Sequence, residues 1–150
     1  MRTGDDVLVA SGADDTDGQG AVYDGGTGTD ILSYENSAEG IYASLQRGRG
    51  WEGDATGDRF ERFEWLRGTD HDDRLYGSRG DDTLAGGFGD DYMLAGVGTD
   101  TVLFSGARDE YSIVQDGIRT EVTHLNGGTD GVDVIGHAEI LRFADGDVIL

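Results

Sequence analysis

The sequence contains no cysteine, so disulfide bonds and thiolate metal sites are excluded. It also has no apolar run near the ~20 residues that a membrane-spanning helix needs, and no membrane span is predicted. The first ten residues, MRTGDDVLVA, lack the basic flank and apolar centre of a cleaved signal peptide.

Positive charge is scarce as well. The chain has 31 acidic and 11 basic residues, and its formal net charge is −20 at pH 7. Such a surface repels a phosphate backbone, which argues against nucleic acid as a partner. Because only 36% of the residues are hydrophobic, the polypeptide lies near the disordered side of the balance between charge and hydrophobicity. We therefore expect that it needs a cation in order to fold.

Motifs of catalysis are missing too. The sequence contains no nucleophile elbow, no zinc-protease motif and no phosphate-binding loop, and its three histidines are scattered. We predict that this segment is not an enzyme, although it can be an accessory module of one.

Glycine, in contrast, is abundant, with 27 residues in 150, and it recurs with a period of nine. Residues 68–103 divide into the units GTDHDDRLY, GSRGDDTLA, GGFGDDYML and AGVGTDTVL. The sixth position is always acidic (Asp73, Asp82, Asp91, Asp100) and the eighth is always large and apolar (Leu75, Leu84, Met93, Val102). The unit GGTGTDILS at 25–33 has the same pattern with Asp30 at its sixth position, Asp6 is the sixth residue of a partial unit at 1–9, and Asp109 lies nine residues beyond Asp100.

This spacing predicts a coil of two units. A three-residue strand with an apolar centre points that side chain inward, and glycines allow the tight turn that follows. Units 18 residues apart would then stack, which pairs the loop at 68 with that at 86 and the loop at 77 with that at 95. Less regular pairs are expected between 59 and 77 and between 86 and 104.

The pattern Gly-Gly-x-Gly-x-Asp-x-apolar-x resembles the RTX, or haemolysin-type, calcium-binding nonapeptide repeat. The resemblance implies an all-β fold, a right-handed parallel β-roll with β-strand caps at both ends. It also implies calcium between stacked loops, held by turn carbonyls and sixth-position carboxylates, with about three to five ions in all. The implied metal-site residues are Asp73, Asp82, Asp91, Asp100, Asp30, Asp6, Asp109, Gly68, Asp70, Gly77, Arg79, Gly80, Gly86, Gly87, Gly89, Gly96 and Gly98.

We predict a single module over 1–150, with core repeats at 59–112, an outlying repeat at 25–33 and a C-terminal cap with a secretion signal at 113–150. YSIVQDGIRTEV at 111–122 alternates around Asp116 and Gly117, which indicates a hairpin. The segments DRFERFEWLR (58–67) and DVIGHAEILR (133–142) resemble each other, and we interpret both as edge strands.

The final residues, DGDVIL, resemble the end of the uncleaved signal of RTX proteins exported by the type I secretion apparatus. The resemblance implies an extracellular, non-catalytic calcium-binding module that folds after export and stabilises an attached effector or enzyme domain. A toxin or adhesin fragment is one alternative.

In a second alternative, the module binds an anionic polysaccharide such as alginate, as in the similar modules of mannuronan epimerases. Seven of the 11 basic residues, all arginine, lie between Arg47 and Arg79. Guanidinium groups suit carboxylates, and Arg59, Arg62, Arg67 and Trp51 are the candidate glycan-binding residues.

Overall fold

The structure, a computed structural model, describes residues 3–12 and 20–150. Within these ranges it is all-β, as predicted, and helical structure is limited to short 3-10 turns such as Gly53–Ala55, Arg108–Glu110 and Leu125–Gly127. No helix in this part of the chain has the length and apolar character needed to cross a membrane. The strands are β1 (Val7–Val9), β2 (Val22–Asp24), β3 (Ile31–Ser33), β4 (Tyr42–Ser44), β5 (Arg49–Glu52), β6 (Arg59–Glu61), β7 (Trp65–Arg67), β8 (Arg74–Tyr76), β9 (Thr83–Ala85), β10 (Tyr92–Leu94), β11 (Thr101–Leu103), β12 (Tyr111–Asp116), β13 (Arg119–His124), β14 (Val132–Gly136), β15 (Ile140–Phe143) and β16 (Gly146–Ile149).

The strands form two mixed sheets. One has seven strands in the order β1-β3-β7-β9-β11-β15-β16, and the other has nine in the order β12-β13-β14-β10-β8-β4-β5-β6-β2. Successive strands from β7 to β11 alternate between the sheets, and β7, β9 and β11 pair in parallel with the 18-residue offset that the repeat predicts. The strands β8 and β10 pair with the same offset in the other sheet.

The core lies between the two sheets. The eighth-position side chains Leu75, Leu84, Met93 and Val102 are each 0% exposed, which confirms that the middle residue of each short strand points inward. Leu32, Leu66, Ile135 and Leu141 continue this apolar stack above and below the repeats. These side chains therefore form a continuous apolar core between the two sheets, along the repeats and the strands that flank them.

The hairpin predicted around Asp116 and Gly117 is confirmed, since β12 and β13 pair antiparallel with Asp116 opposite Arg119. The nine-residue register ends at β11, and Tyr111 begins this hairpin instead of another parallel strand.

The interpretation of 58–67 and 133–142 as edge strands is wrong. The strands in these segments, β6, β7, β14 and β15, each have a paired neighbour on both sides. The hairpins β4-β5, β12-β13 and β15-β16 supply antiparallel partners for β6, β14 and β15, and β7 lies between the parallel strands β3 and β9.

Candidate metal centre

The turns that precede the short parallel strands stack in two columns, one along each sheet. The register of the strands fixes this stacking, since a turn that enters a strand must lie beside the turn that enters the paired strand. The predicted pairings of loops 68 with 86 and 77 with 95 are confirmed by the strand register. The expected partner of loop 86 at 104 is wrong, because β10 pairs with β14 and loop 86–91 therefore faces loop 128–133.

Four stacked pairs in the described chain share one hydrogen-bond signature. In each pair, the backbone N–H of the sixth residue of one loop donates to Oδ1 of the sixth-position aspartate of the other, and a fifth-residue N–H donates to Oδ1 of a fifth-position aspartate. All eight distances are between 2.8 and 3.0 Å. The pairs are 3–6 with 25–30, 68–73 with 86–91, 77–82 with 95–100, and 86–91 with 128–133.

The first glycine of a loop marks where oxygen atoms of two loops converge. A Cβ added at Gly68 would lie 2.1 Å from Oδ2 of Asp73 and 2.5 Å from the carbonyl oxygen of Gly86 in the next loop. A Cβ at Gly77 would lie 1.9 Å from the carbonyl oxygen of Ala95 and 2.9 Å from Oδ2 of Asp82. Only glycine leaves these carbonyls and carboxylates open to a common space.

Several of these carboxylates have an oxygen atom with no partner. Oδ2 of Asp30, Asp91 and Asp100 is buried and accepts no hydrogen bond from the described residues. An unsatisfied buried carboxylate oxygen is costly, and a divalent cation removes that cost. The orphaned oxygens and the glycine cradles therefore fit a calcium ion, which takes six to eight oxygen ligands in a flexible arrangement.

The electrostatic environment of the loops also favours a bound cation. Burial raises the pKa of Asp73 to about 6. Burial, together with the charge of Asp133, raises the pKa of Asp91 to about 8, and burial with the charges of Asp130 and Asp90 raises that of Asp133 to about 8. The pKa values of Asp82 and Asp100 are also raised, chiefly by burial. Ionised carboxylates in these positions need a compensating positive charge.

The ligand set is mixed. Among the described residues, no group of three or more histidine, aspartate or glutamate side chains converges in the manner of a site made of side chains alone. Each pair of loops can instead combine sixth-position carboxylates with turn carbonyls, which suits calcium better than a transition metal.

Most residues predicted for the metal sites lie in these loops: Asp6, Asp30, Gly68, Asp70, Asp73, Gly77, Arg79, Gly80, Asp82, Gly86, Gly87, Gly89, Asp91, Gly96, Gly98 and Asp100. Asp6, whose partner the sequence did not identify, donates its backbone N–H to Asp30. Asp109 lies apart from them, exposed in the 3-10 turn Arg108–Glu110.

Sequence reasoning missed the fifth-position aspartates. Asp5, Asp72, Asp81 and Asp90 each accept a backbone N–H from the stacked loop at 2.8 Å. The signal was present as the paired Asp-Asp in GDD and HDD. These residues add a second link between stacked loops, beside the link made by Oδ1 of the sixth-position aspartates.

Sequence reasoning also missed two glutamates that accept hydrogen bonds from the loops. Glu64 Oε2 accepts the N–H of Asp30, and Glu139 Oε2 accepts that of Asp100, at 2.9 and 2.8 Å. Both stand in short turns with one non-glycine residue at positive φ, Arg62 at 60° and His137 at 59°. The longer side chain reaches the place that aspartate occupies in a six-residue loop.

Comparison with known families concerns the central loops. Residues 67–102 match the family model of the RTX calcium-binding nonapeptide repeat in four copies. This segment is similar to an RTX repeat array, and loops 3–6, 25–30 and 128–133 lie outside the match. A comparison of the whole chain with curated proteins gives no match.

Beside the RTX loops, two buried aspartates anchor neighbouring segments. The hydroxyl of Tyr34 donates to Oδ2 of Asp58 at 2.9 Å. Asp130 accepts from the hydroxyls of Ser105 and Tyr111 and stands beside His124. Since Ser105 donates to the carboxylate itself, the cluster contains no serine-to-histidine hydrogen bond of the kind that activates a nucleophile.

The arginines predicted for glycan binding are dispersed. Arg59 lies on β6 in the nine-stranded sheet, whereas Arg67 lies on β7 in the other sheet and pairs with Glu35 at 2.7 Å. Arg62 is paired with Asp24 and Glu61.

Trp51, in contrast, belongs to a row of four aromatic rings on the outer face of the nine-stranded sheet. The ring centroids of Trp51, Tyr42, Tyr76 and Tyr92 follow one another at 4.6, 5.3 and 6.2 Å. We refer to this row as the aromatic stripe. Arg47 lies over the Trp51 ring at 5.9 Å.

Proposed function

We propose that the chain is a non-catalytic calcium-binding module of a secreted protein, a parallel β-roll that folds when calcium fills its RTX loops. The observation that carries this proposal is the set of buried, unpartnered Oδ2 atoms of Asp30, Asp91 and Asp100. Each belongs to an aspartate whose Oδ1 is already held by the stacked loop or turn, so the free oxygen faces a place for a cation. The four loop pairs support about four ions.

The proposed role requires that folding and binding are one event. With a formal charge of −20, the calcium-free chain repels itself, and each ion offsets two negative charges. Low intracellular calcium would keep the chain unfolded for type I export, and millimolar calcium outside the cell would fold it. The folded roll would then stabilise an attached effector or enzyme domain.

Calcium titration monitored by circular dichroism tests this function. We expect little β-structure in chelator and a cooperative gain as calcium rises, whereas magnesium at the same concentration has a much weaker effect because it demands a smaller octahedral site. A chain that is equally folded with and without calcium would contradict the proposal. Export is tested separately, by asking whether removal of residues 146–150 abolishes type I secretion without altering calcium binding.

The aromatic stripe favours a second candidate function, the binding of an acidic polysaccharide. Its rings present flat, amphipathic faces on a rigid sheet, and Arg47 lies over Trp51, where it can pair with a carboxylate, whereas Arg74 is paired with Glu52 at 3.3 Å. This location replaces the predicted row of Arg59, Arg62 and Arg67, which the fold separates.

Fluorescence titration with oligouronates tests this candidate. In a Trp65→Phe background Trp51 is the only tryptophan, so its emission reports on the stripe. We expect salt-sensitive binding that Arg47→Ala weakens, with Arg119→Ala, in the distant hairpin β12-β13, as the control. Absence of binding at low salt would remove this candidate and would leave the calcium function untouched.

A further inference from the structure

The aromatic stripe contains an ion pair of its own. Arg74 on β8 donates from Nη1 to Oε2 of Glu52 on β5 at 3.3 Å. The two side chains are 58% and 52% exposed, so both lie on the surface that a ligand of the stripe would meet. An ion pair this exposed contributes little to stability, because water competes for both charges. Arg74 can therefore exchange Glu52 for another carboxylate.

The strand register places this pair across Tyr42. In the nine-stranded sheet β4 lies between β5 and β8, and Tyr42 has Glu52 as its partner on one side and Arg74 on the other. Because neighbouring strands are about 4.8 Å apart, the backbones of Glu52 and Arg74 are about 10 Å apart and their side chains meet over β4. Tyr92 is the partner of Arg74 on its far side. The guanidinium group therefore belongs to the middle of the stripe.

An irregularity in β5 brings Glu52 into the stripe. The register shifts between Tyr42, which is opposite Glu52, and Ala43, which is opposite Gly50, so Trp51 is an extra residue in β5. In a regular strand, Trp51 and Glu52 would point to opposite faces of the sheet. Here the ring of Trp51 lies 4.6 Å from that of Tyr42 and Glu52 reaches Arg74, so both side chains lie on the outer face.

An acidic side chain is unfavourable in a site for an acidic polysaccharide. The Glu52 carboxylate repels the carboxylates of such a ligand, and it also occupies the guanidinium group that would bind one of them. Guanidinium groups suit carboxylates because their N–H donors form a planar fork. Glu52 therefore stands in the place that a ligand carboxylate would take beside Arg74.

We propose that Glu52 is an internal competitor of the ligand, and that an acidic polysaccharide binds the whole stripe by displacing Glu52 from Arg74. This inference rests on the proposed binding of an acidic polysaccharide, and it adds two residues that set the affinity and the preference of that site. A ligand without carboxylates would break the ion pair and leave Arg74 without a replacement. The pair therefore favours acidic ligands over neutral ones, while Glu52 limits how tightly the acidic ligands bind.

Calorimetric titration of the full chain with a short oligouronate, at saturating calcium and low salt, tests the competition. Glu52→Gln keeps the size of the side chain, removes its charge and frees Arg74, and we expect binding to tighten about two- to fivefold. Glu35→Gln is the matched control, because it removes the same charge and frees Arg67 from a pair at 2.7 Å on the other sheet. Its affinity should stay at the wild-type value.

The gain in affinity should require Arg74. Glu52→Gln/Arg74→Gln should bind more weakly than Glu52→Gln, by at least the factor gained, whereas Glu52→Gln/Arg67→Gln should keep the gain. All four side chains are at least 39% exposed, so the circular dichroism of each variant at saturating calcium should match that of the wild type.

Unchanged affinity in Glu52→Gln would overturn the inference. An equal gain in Glu35→Gln, or a gain that survives Arg74→Gln, would overturn it too, because the loss of one negative charge would then be sufficient. Failure of the proposed polysaccharide binding looks different, since the wild-type chain and every variant would then bind no oligouronate at low salt.

Discussion

The calcium-free protein should become more stable as the pH falls from 7 to 5. Asp91 and Asp133 have pKa values of about 8 in the folded chain, above the ordinary value of 3.8. A carboxyl group whose pKa is raised by folding contributes its full stability below pH 3.8 and loses that contribution as the pH rises toward 8. A paired carboxylate whose pKa is lowered by folding has the opposite effect, and at lower pH, because its contribution is lost below about pH 5.

The magnitude follows from the size of the two shifts. A pH of 7 is roughly three units above the ordinary pKa of each carboxyl group. At ~1.4 kcal/mol per pKa unit, the burial of each group therefore opposes folding by about 4 kcal/mol. Because the charge of Asp133 contributes to the shift of Asp91, the two costs are not fully additive, but together they are a large part of the net stability of a domain, about 5–15 kcal/mol. Lowering the pH to 5 should recover about 3 kcal/mol for each group.

Circular dichroism of protein freed of calcium on a chelating resin, at several pH values from 5 to 8, measures this slope as a gain of β-structure at low pH. In Asp91→Asn/Asp133→Asn the slope should flatten, whereas Asp116→Asn, in an exposed turn, should keep it. Saturating calcium should abolish the dependence in the wild-type chain, because the ion stabilises the ionised carboxylates. A β-structure content of the calcium-free chain that is constant or rises from pH 5 to 7 would refute the reasoning.

Three further predictions concern the parts that support the loops. Leu84→Ala should cost about 2–5 kcal/mol, because Leu84 is fully buried between the sheets, and should raise the calcium concentration at the folding midpoint, whereas Val114→Ala at a 59% exposed position should not. Tyr34→Phe should cost about 1–3 kcal/mol in urea unfolding, since a buried hydrogen bond to Asp58 is lost, and Tyr92→Phe on the exposed face is its control. Gly98→Ala should weaken calcium binding measured by calorimetry, because Gly98 has φ +149° and a Cβ would lie 2.5 Å from the carbonyl oxygen of Gly80, whereas Gly127→Ala, where a Cβ meets nothing within 4 Å, should leave the affinity unchanged.

The repeats were predictable because their constraints are local. A strand of three residues with Leu84 or Met93 at its centre determines which side chain is buried, and the period of nine then determines that β7 pairs with β9 and β9 with β11. The alternation of side chains along a strand and the length of a turn were sufficient to predict the core and two of the loop pairs.

The parts that could not be predicted depend on long insertions. Asp133 belongs to the same column as Asp91, but a hairpin separates the two units, and nothing local in the sequence determines where the chain returns to the sheet. The aromatic stripe has the same origin. Tyr42 lies beside Tyr76, which lies beside Tyr92, only because β4 pairs with β8 across the segment that contains β5, β6 and β7.

The two glutamate turns explain why segments 58–67 and 133–142 resemble each other. In both segments, an aspartate at the start accepts a backbone N–H from one column of turns, and a glutamate six residues later accepts one from the other column. Leu66 and Leu141 are buried between the sheets. A turn that is shorter than an RTX loop has fewer carbonyls to offer a cation, and its glutamate instead accepts an N–H from the loop beside it. After a long insertion, each such segment therefore places one strand in each of the two sheets. It does so without a complete RTX loop in each column. On this basis a change in the length of the hairpin β12-β13 should be tolerated, whereas a change in the spacing between Asp133 and Glu139 should not, because that spacing alone keeps both columns in register.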